Sequence, residues 1–165
     1  IEHHDKHEEM MMEVKRVLKP DGIVIISTPD KYQYTDKRNF HNEFHVKELY
    51  KNEFVELLNR YFKKNVLYNQ IFSNGNSLVV EEEHFNKFEL YSGNFTEVSE
   101  IEKEAMYLIM ISSDKDFDYK PISVFEGTQI IKAFNDGFVK EIKNSITFKL
   151  GHYILLPFKF FKRIK

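Results

Sequence analysis

Three histidines, His3, His4 and His7, stand close together near Asp5 and Glu8 at the start of the chain. Imidazole and carboxylate are good ligands for transition metals, and imidazole titrates near neutral pH, so such a group could hold a cation or move a proton. His and Glu at the beginning of a helix more commonly serve as solvated or capping groups, and no metal site is expected here. A second pair, His41 and His45 in FHNEFH, would share one face if that stretch were helical. Capping or packing against the helix that follows competes with substrate contact for these two residues. Tyr32, Tyr34 and Phe40 lie in the same stretch and could stack on a sugar or an aromatic ring, or form a small local core. The chain has no cysteine, which excludes disulfides, thiolate catalysis and thiolate metal ligands.

These residues need elements to position them. Asp5 to Leu18 carries Met10 or Met11, Val14, Val17 and Leu18 at three- and four-residue spacings, with charged residues on the other faces, which predicts an amphipathic helix. Acids lead and bases follow, in keeping with the helix dipole, and Pro20 with Gly22 ends the helix in a turn. Ile23 to Ile26 is an unbroken β-branched run, the pattern of a strand covered on both faces. Pro29 to His45 shows no period and reads as a long loop, and loops of that length in compact domains are usually functional or mobile. Val46 to Tyr61 resumes the helical period through Leu49, Phe54, Leu57, Leu58 and Tyr61, and Asn65 to Phe72 reads as a strand. Two helix–strand repeats in succession indicate an α/β domain. Ser73 to Glu104 offers short strands or an excursion, and its acidic run Glu81 to Glu83 reads as a solvated face. Met106 to Asp114 is an apolar run expected to be a buried strand, and Thr128 to Ser145 a helix.

At 165 residues the chain suits one domain or part of a larger one, and 42% hydrophobic with 30% charged residues is ordinary for a globular protein. No apolar run reaches the roughly 18 residues that a membrane span requires. The net charge of −2 is unevenly spread: Glu81 to Glu104 holds eight Glu against two Lys, whereas Lys140 to Lys165 holds seven Lys or Arg against one Glu. Only the tail is basic, so nucleic acid is not the expected partner, although a tail-mediated nucleic-acid or membrane-surface role stays open. Ile154, Leu155, Leu156, Phe158, Phe160 and Phe161 beside Lys159, Lys162, Arg163 and Lys165 suit peripheral membrane contact or packing on the domain. The first residue is Ile, and the numbering is expected to begin inside a longer gene product.

IEHHDKHEEMMMEVKRVLKPDGIVIISTPD resembles the middle of a class I S-adenosylmethionine-dependent methyltransferase of the type 11/12-like kind. In that family a Glu-His pair at a strand end precedes a helix ending Arg-Val-Leu-Lys-Pro-Gly-Gly and then a strand. Glu2-His3 matches the pair, Arg16 to Pro20 match the helix end, and Asp21-Gly22 departs from Gly-Gly by one residue. NEFHVKEL resembles the family's substrate-side loop and AMYLIMISSD its last, antiparallel strand. The resemblance covers residues 1 to about 114.

It implies a partial Rossmann-like sheet with an antiparallel last strand and a helical C-terminal tail. The expected division is 1–120 as the carboxyl-terminal half of the methyltransferase-like domain and 121–165 as a basic, aromatic tail or linker. It further implies Glu2 and His3 lining the cofactor cavity, His3 or His4 as general base for an acceptor hydroxyl, and Tyr32, His41 and His45 at the substrate. The family's glycine-rich cofactor turn and ribose-binding acid have no counterpart: Gly22, Gly75, Gly93, Gly127, Gly137 and Gly151 are too scattered. S-adenosylmethionine is therefore expected only in a longer enzyme, with this chain inactive alone and an unpaired strand edge favouring a homo-oligomer. The tail resembles a segment that joins such domains to glycosyltransferases in bacterial surface-polysaccharide proteins. That resemblance implies a cytoplasmic methyltransferase with a small-molecule or glycan-like acceptor, with membrane contact through the tail and packing of the tail on the domain both left open. A non-catalytic interaction module derived from the same fold is the alternative.

Overall fold

The computed structural model describes residues 1–94 and 96–161, with side chains only as far as residue 155 in the last helix. It divides into two units, Ile1–Phe125 and Glu126–Lys165.

The first unit is a mixed α/β layer. Helix α1, His7–Val17, places Glu8 and Glu9 in its first turn and Lys15 and Arg16 in its last, and it buries Met11 and His7. Strand β1 runs Ile23–Pro29, helix α2 Lys51–Tyr61, β2 Lys64–Ser73 and β3 Asn76–Glu81. The short hairpin β4, Tyr91–Gly93, with β5, Val98–Glu100, stands apart from the main sheet. Strands β6, Tyr107–Ser113, and β7, Ile122–Phe125, complete a five-stranded sheet in the order β1-β6-β2-β3-β7.

Every hydrogen-bonded pair in this sheet is antiparallel. The expected strand near Met106 to Ser112 does lie between those at Ile23 and Asn65, with Ile26 and Leu67 both opposite Met110. Because β6 is antiparallel to both neighbours, β1 and β2 run the same way without touching. The sheet is thus not a parallel one with a single reversed strand: β3 and β7 extend it by further antiparallel pairs.

Both helices cover one face. Met11 from α1, Phe54, Leu57 and Leu58 from α2, Leu49, Phe62, and Leu108 with Met110 from β6 form the buried core, with Val24, Ile26 and Leu67 packed against it. Burial of a Leu- or Phe-sized side chain contributes about 1.5–3 kcal/mol each, which is what holds the helices to the sheet. The reading of β1 as covered on both faces is corrected: Ile23 and Ile25 point away from the helices and are 48% and 65% exposed. A β-branched run reports strand propensity but not how many faces are covered.

Three boundaries also move. The helix expected from Val46 begins at Lys51: Leu49 bridges to Asp30, Tyr50 is extended, and its amide donates to the Glu53 carboxylate at 2.9 Å. Within the expected loop, Tyr32–Asp36 makes one π turn. Asn74 and Gly75, both at positive φ, form the tight turn of the β2–β3 hairpin. The acidic run is a solvated face at Glu82 and Glu83, which are exposed, Glu82 pairing with Lys51, but not at Glu81, which is 7% exposed and accepts hydrogen bonds from Tyr119 and His84.

The second unit comprises α3, Thr128–Asn144, and α4, Ile146–Phe161. Ser145 ends one and starts the other, its amide donating to the Glu141 carbonyl and its hydroxyl accepting from the Phe148 amide. Among the described residues no helix is long and apolar enough to cross a membrane. The side chains of Leu156, Phe158, Lys159, Phe160 and Phe161, and Lys162, Arg163 and Lys165 altogether, lie outside the described residues, and with them most of the expected membrane-facing tail.

Candidate functional site

The carboxyl end of β1 launches the polar group. Thr28 and Pro29 are buried, the Asp30 amide donates to the Met106 carbonyl at 3.0 Å, and the Lys31 amide donates to the Leu49 carbonyl at 3.1 Å. The chain then enters the π turn, an insertion that often marks functional sites. That turn brings the Tyr34 ring onto His45, stacked at 5.3 Å, and edge-on to Tyr107 at 5.9 Å.

His45 is delivered by a side-chain turn: Asn42 Oδ1 accepts from the Phe44 amide at 3.1 Å, and the Asn42 carbonyl accepts from the His45 amide at 3.0 Å. With Oδ1 so engaged, Asn42 Nδ2 faces Tyr34 Oη at 3.3 Å and His45 Nε2 at 3.0 Å, as donor to both. His45 therefore carries its proton on Nδ1, which donates to Glu48 Oε1. The other oxygen of Glu48 accepts from Thr35 Oγ1 at 2.6 Å. Both side chains are nearly buried, at 8% and 9% exposure.

The amino-terminal segment closes the group from the other side. The Glu2 carbonyl accepts from the amides of Val46 and Lys47 at 2.8 and 3.1 Å, which pins residue 2 beside the His45 loop. His3 Nδ1 lies 2.9 Å from the Phe44 carbonyl and must donate to it, leaving Nε2 bare 3.6 Å from Glu2 Oε1. One ligand-type atom from each of Glu2, His3 and His45 lies within 4.8 Å of the others. Tyr107 is pushed up by burial, with Tyr34 and Glu2 adding to the shift.

Of the residues singled out in the sequence, Glu2, His3 and His45 come together with Tyr34, against which Phe40 packs, whereas His4, His7, Tyr32 and His41 stay outside the group. His4 turns toward α1, accepting from the Lys6 amide at Nδ1 and directing Nε2 to Met10 Sδ at 3.2 Å. His7 is 4% exposed, lies 3.1 Å from the Ile1 carbonyl, and is driven down in pKa by burial. Tyr32 is 54% exposed while its amide donates to Asp30 Oδ1, and His41 sits on the loop surface. Tyr34 takes the ring-wall position, and Asn42, Glu48 and Tyr107 join without having been singled out. One signal was readable: Asn42, His45 and Glu48 recur every third residue.

A cavity of about 690 Å³ lies elsewhere and is lined by Lys51, Val55, Asn59, Leu67, Glu82 and Met110 among others. Its Lys51 is paired with Glu82, which also accepts from Asn69, so these polar groups already satisfy one another. The Glu2–His3–His45 group, with a bare imidazole nitrogen and a free carboxylate oxygen, is the better chemical candidate despite lying outside that cavity. The sequence matches no known family profile, no curated protein and no solved structure.

Proposed function

We propose that this chain is the acceptor-side part of an S-adenosylmethionine-dependent methyltransferase acting on a small-molecule or glycan-like hydroxyl. The observation that carries the reading is the placement of Glu2, His3 and His45 at the carboxyl end of β1, beside a strand pair, β1 and β2, separated by one reversed strand. β1 and β2 are both antiparallel to β6, so their carboxyl ends lie on the same edge of the sheet. The Arg-Val-Leu-Lys-Pro helix end and the NEFHVKEL loop point the same way.

The described residues do not fit the methyl donor. A Cβ on Gly22 would meet Leu18 at 2.7 Å and one on Gly93 the Glu97 carbonyl at 2.1 Å, while Gly137 and Gly151 face open space. Gly75 is spent on the hairpin turn. None of these makes a cradle for a nucleotide, so in this reading the donor is held by other residues and these act on the acceptor alone. Tyr34 and Tyr107 offer rings on which a sugar or aromatic acceptor can lie. The hydroxyl then faces His3, whose bare Nε2 is the proton acceptor in reach, and His45, held by Glu48, orients it.

The test is to express the complete gene that encodes this chain and follow labelled methyl transfer from S-adenosylmethionine to a panel of glycans and phenols. Transfer is expected. A complete gene product that neither binds the donor nor transfers label would overturn the reading.

A further inference from the structure

We infer that Glu2, His3 and His45 form a binding site for a divalent transition-metal ion. Metal-binding histidines need one ring nitrogen bare and the other donating to a carbonyl or carboxylate, which fixes the tautomer and raises ligand basicity. Both histidines meet this requirement, by different partners. His3 Nδ1 donates to the Phe44 carbonyl and His45 Nδ1 to Glu48, so the Nε2 atoms are the available ligands. The third ligand is Glu2 Oε1, the carboxylate oxygen that faces His3 Nε2 at 3.6 Å.

The set needs little closure. One ligand-type atom of each residue lies within 4.8 Å of one on each of the others, and Glu2 Oε1 is 3.6 Å from His3 Nε2, whereas bonds of about 2.1 Å place tetrahedral ligands roughly 3.4 Å apart. His3, at 62% side-chain exposure, is free to make that movement, while Glu2 and His45 are held at 16% and 8%. Asn42 Nδ2 must yield His45 Nε2 and keeps Tyr34 Oη as its partner. Two imidazoles and one carboxylate suit Zn²⁺, Fe²⁺ or Co²⁺ in preference to Mg²⁺ or Ca²⁺, and leave positions open for an outside oxygen.

Cation binding stands independently of the methyltransferase reading; what the cation does rests on it. An acceptor hydroxyl bound at an open position would lose its proton to solvent more readily, with the oxygen held by the metal as alkoxide, so His3 would serve as ligand in place of base.

The test uses this chain, freed of metal with a chelator, titrated with Zn²⁺ by calorimetry and with Co²⁺ by visible absorption. One equivalent is expected to bind. His3→Ala and His45→Ala should each weaken binding by at least about 10-fold and Glu48→Gln by about 10- to 100-fold, while His152→Ala leaves it unchanged. Circular dichroism of each variant guards against unfolding, and the exposed His3 gives the safest one. Absence of stoichiometric binding would overturn the site. So would binding lost in His3→Ala but kept in His45→Ala, which would be chelation by the amino terminus and His3.

Discussion

Asp30 is a carboxyl held where a charge is costly. It is 9% exposed, and burial raises its pKa above the ordinary 3.8 despite the Tyr32 amide and nearby Lys51, which act in the other direction. The folded chain thus holds this proton more tightly than the unfolded chain. As pH rises above 3.8 the unfolded carboxyl ionises first, and stability falls until pH passes the folded value. Asp30→Asn keeps an acceptor for the Tyr32 amide and removes that cost. Denaturant titrations should find the variant more stable than the parent at pH 7, with the gap closing below pH 3.8; a variant less stable at pH 7 would contradict the assignment. The candidate site was partly legible at this scale. Residue type marked His3 and His45 as chemically capable, and Glu2 was marked only by the family resemblance. Their convergence was not legible, because it depends on contacts such as His3 with Phe44, 41 positions away. Glu48 escaped notice because a glutamate beside a helix reads as a solvated or capping group until Thr35 is seen to hold it.

Among the elements, α2 anchors the layer through Phe54, which is fully buried between α1 and β6 in the core. Phe54→Ala should cost about 3–5 kcal/mol and lower the thermal midpoint by more than 10 °C, on the usual scaling for a domain of this size. Phe134→Ala, on α3 and 76% exposed, should change it little. Equal shifts for the two would mean that the core is drawn wrongly. Helices α1 and α3 and strands β2 and β6 were readable because their apolar periods are long or unbroken. Strand β3 was readable only as one of two options, and β7 was not read: β3 carries Glu81 inward, where Tyr119 and His84 satisfy it, and an inward glutamate looks like surface in sequence. The Asn74-Gly75 turn was the available signal for the hairpin, since both residues take positive φ there.

For the molecule as a whole, the first unit leaves one sheet face partly bare around Ile23 and Ile25. An edge strand with exposed β-branched residues is a template for association. Sedimentation of the chain should show concentration-dependent self-association that Ile25→Lys reduces with the unfolding midpoint nearly unchanged; a wild-type chain monomeric at all concentrations would remove that reading of the face. How many faces a strand covers is a property of the assembled layers, which is why Ile23 to Ile26 was misread locally. The central claim is that the group at the end of β1 acts on an acceptor. Its most direct test is the rate of labelled methyl transfer by the complete gene product carrying His3→Ala. His3 is exposed and should fold normally when replaced. Loss of a positioned acid–base group or ligand predicts a fall of about 10²- to 10⁴-fold. Undiminished transfer by a folded His3→Ala protein would contradict the account.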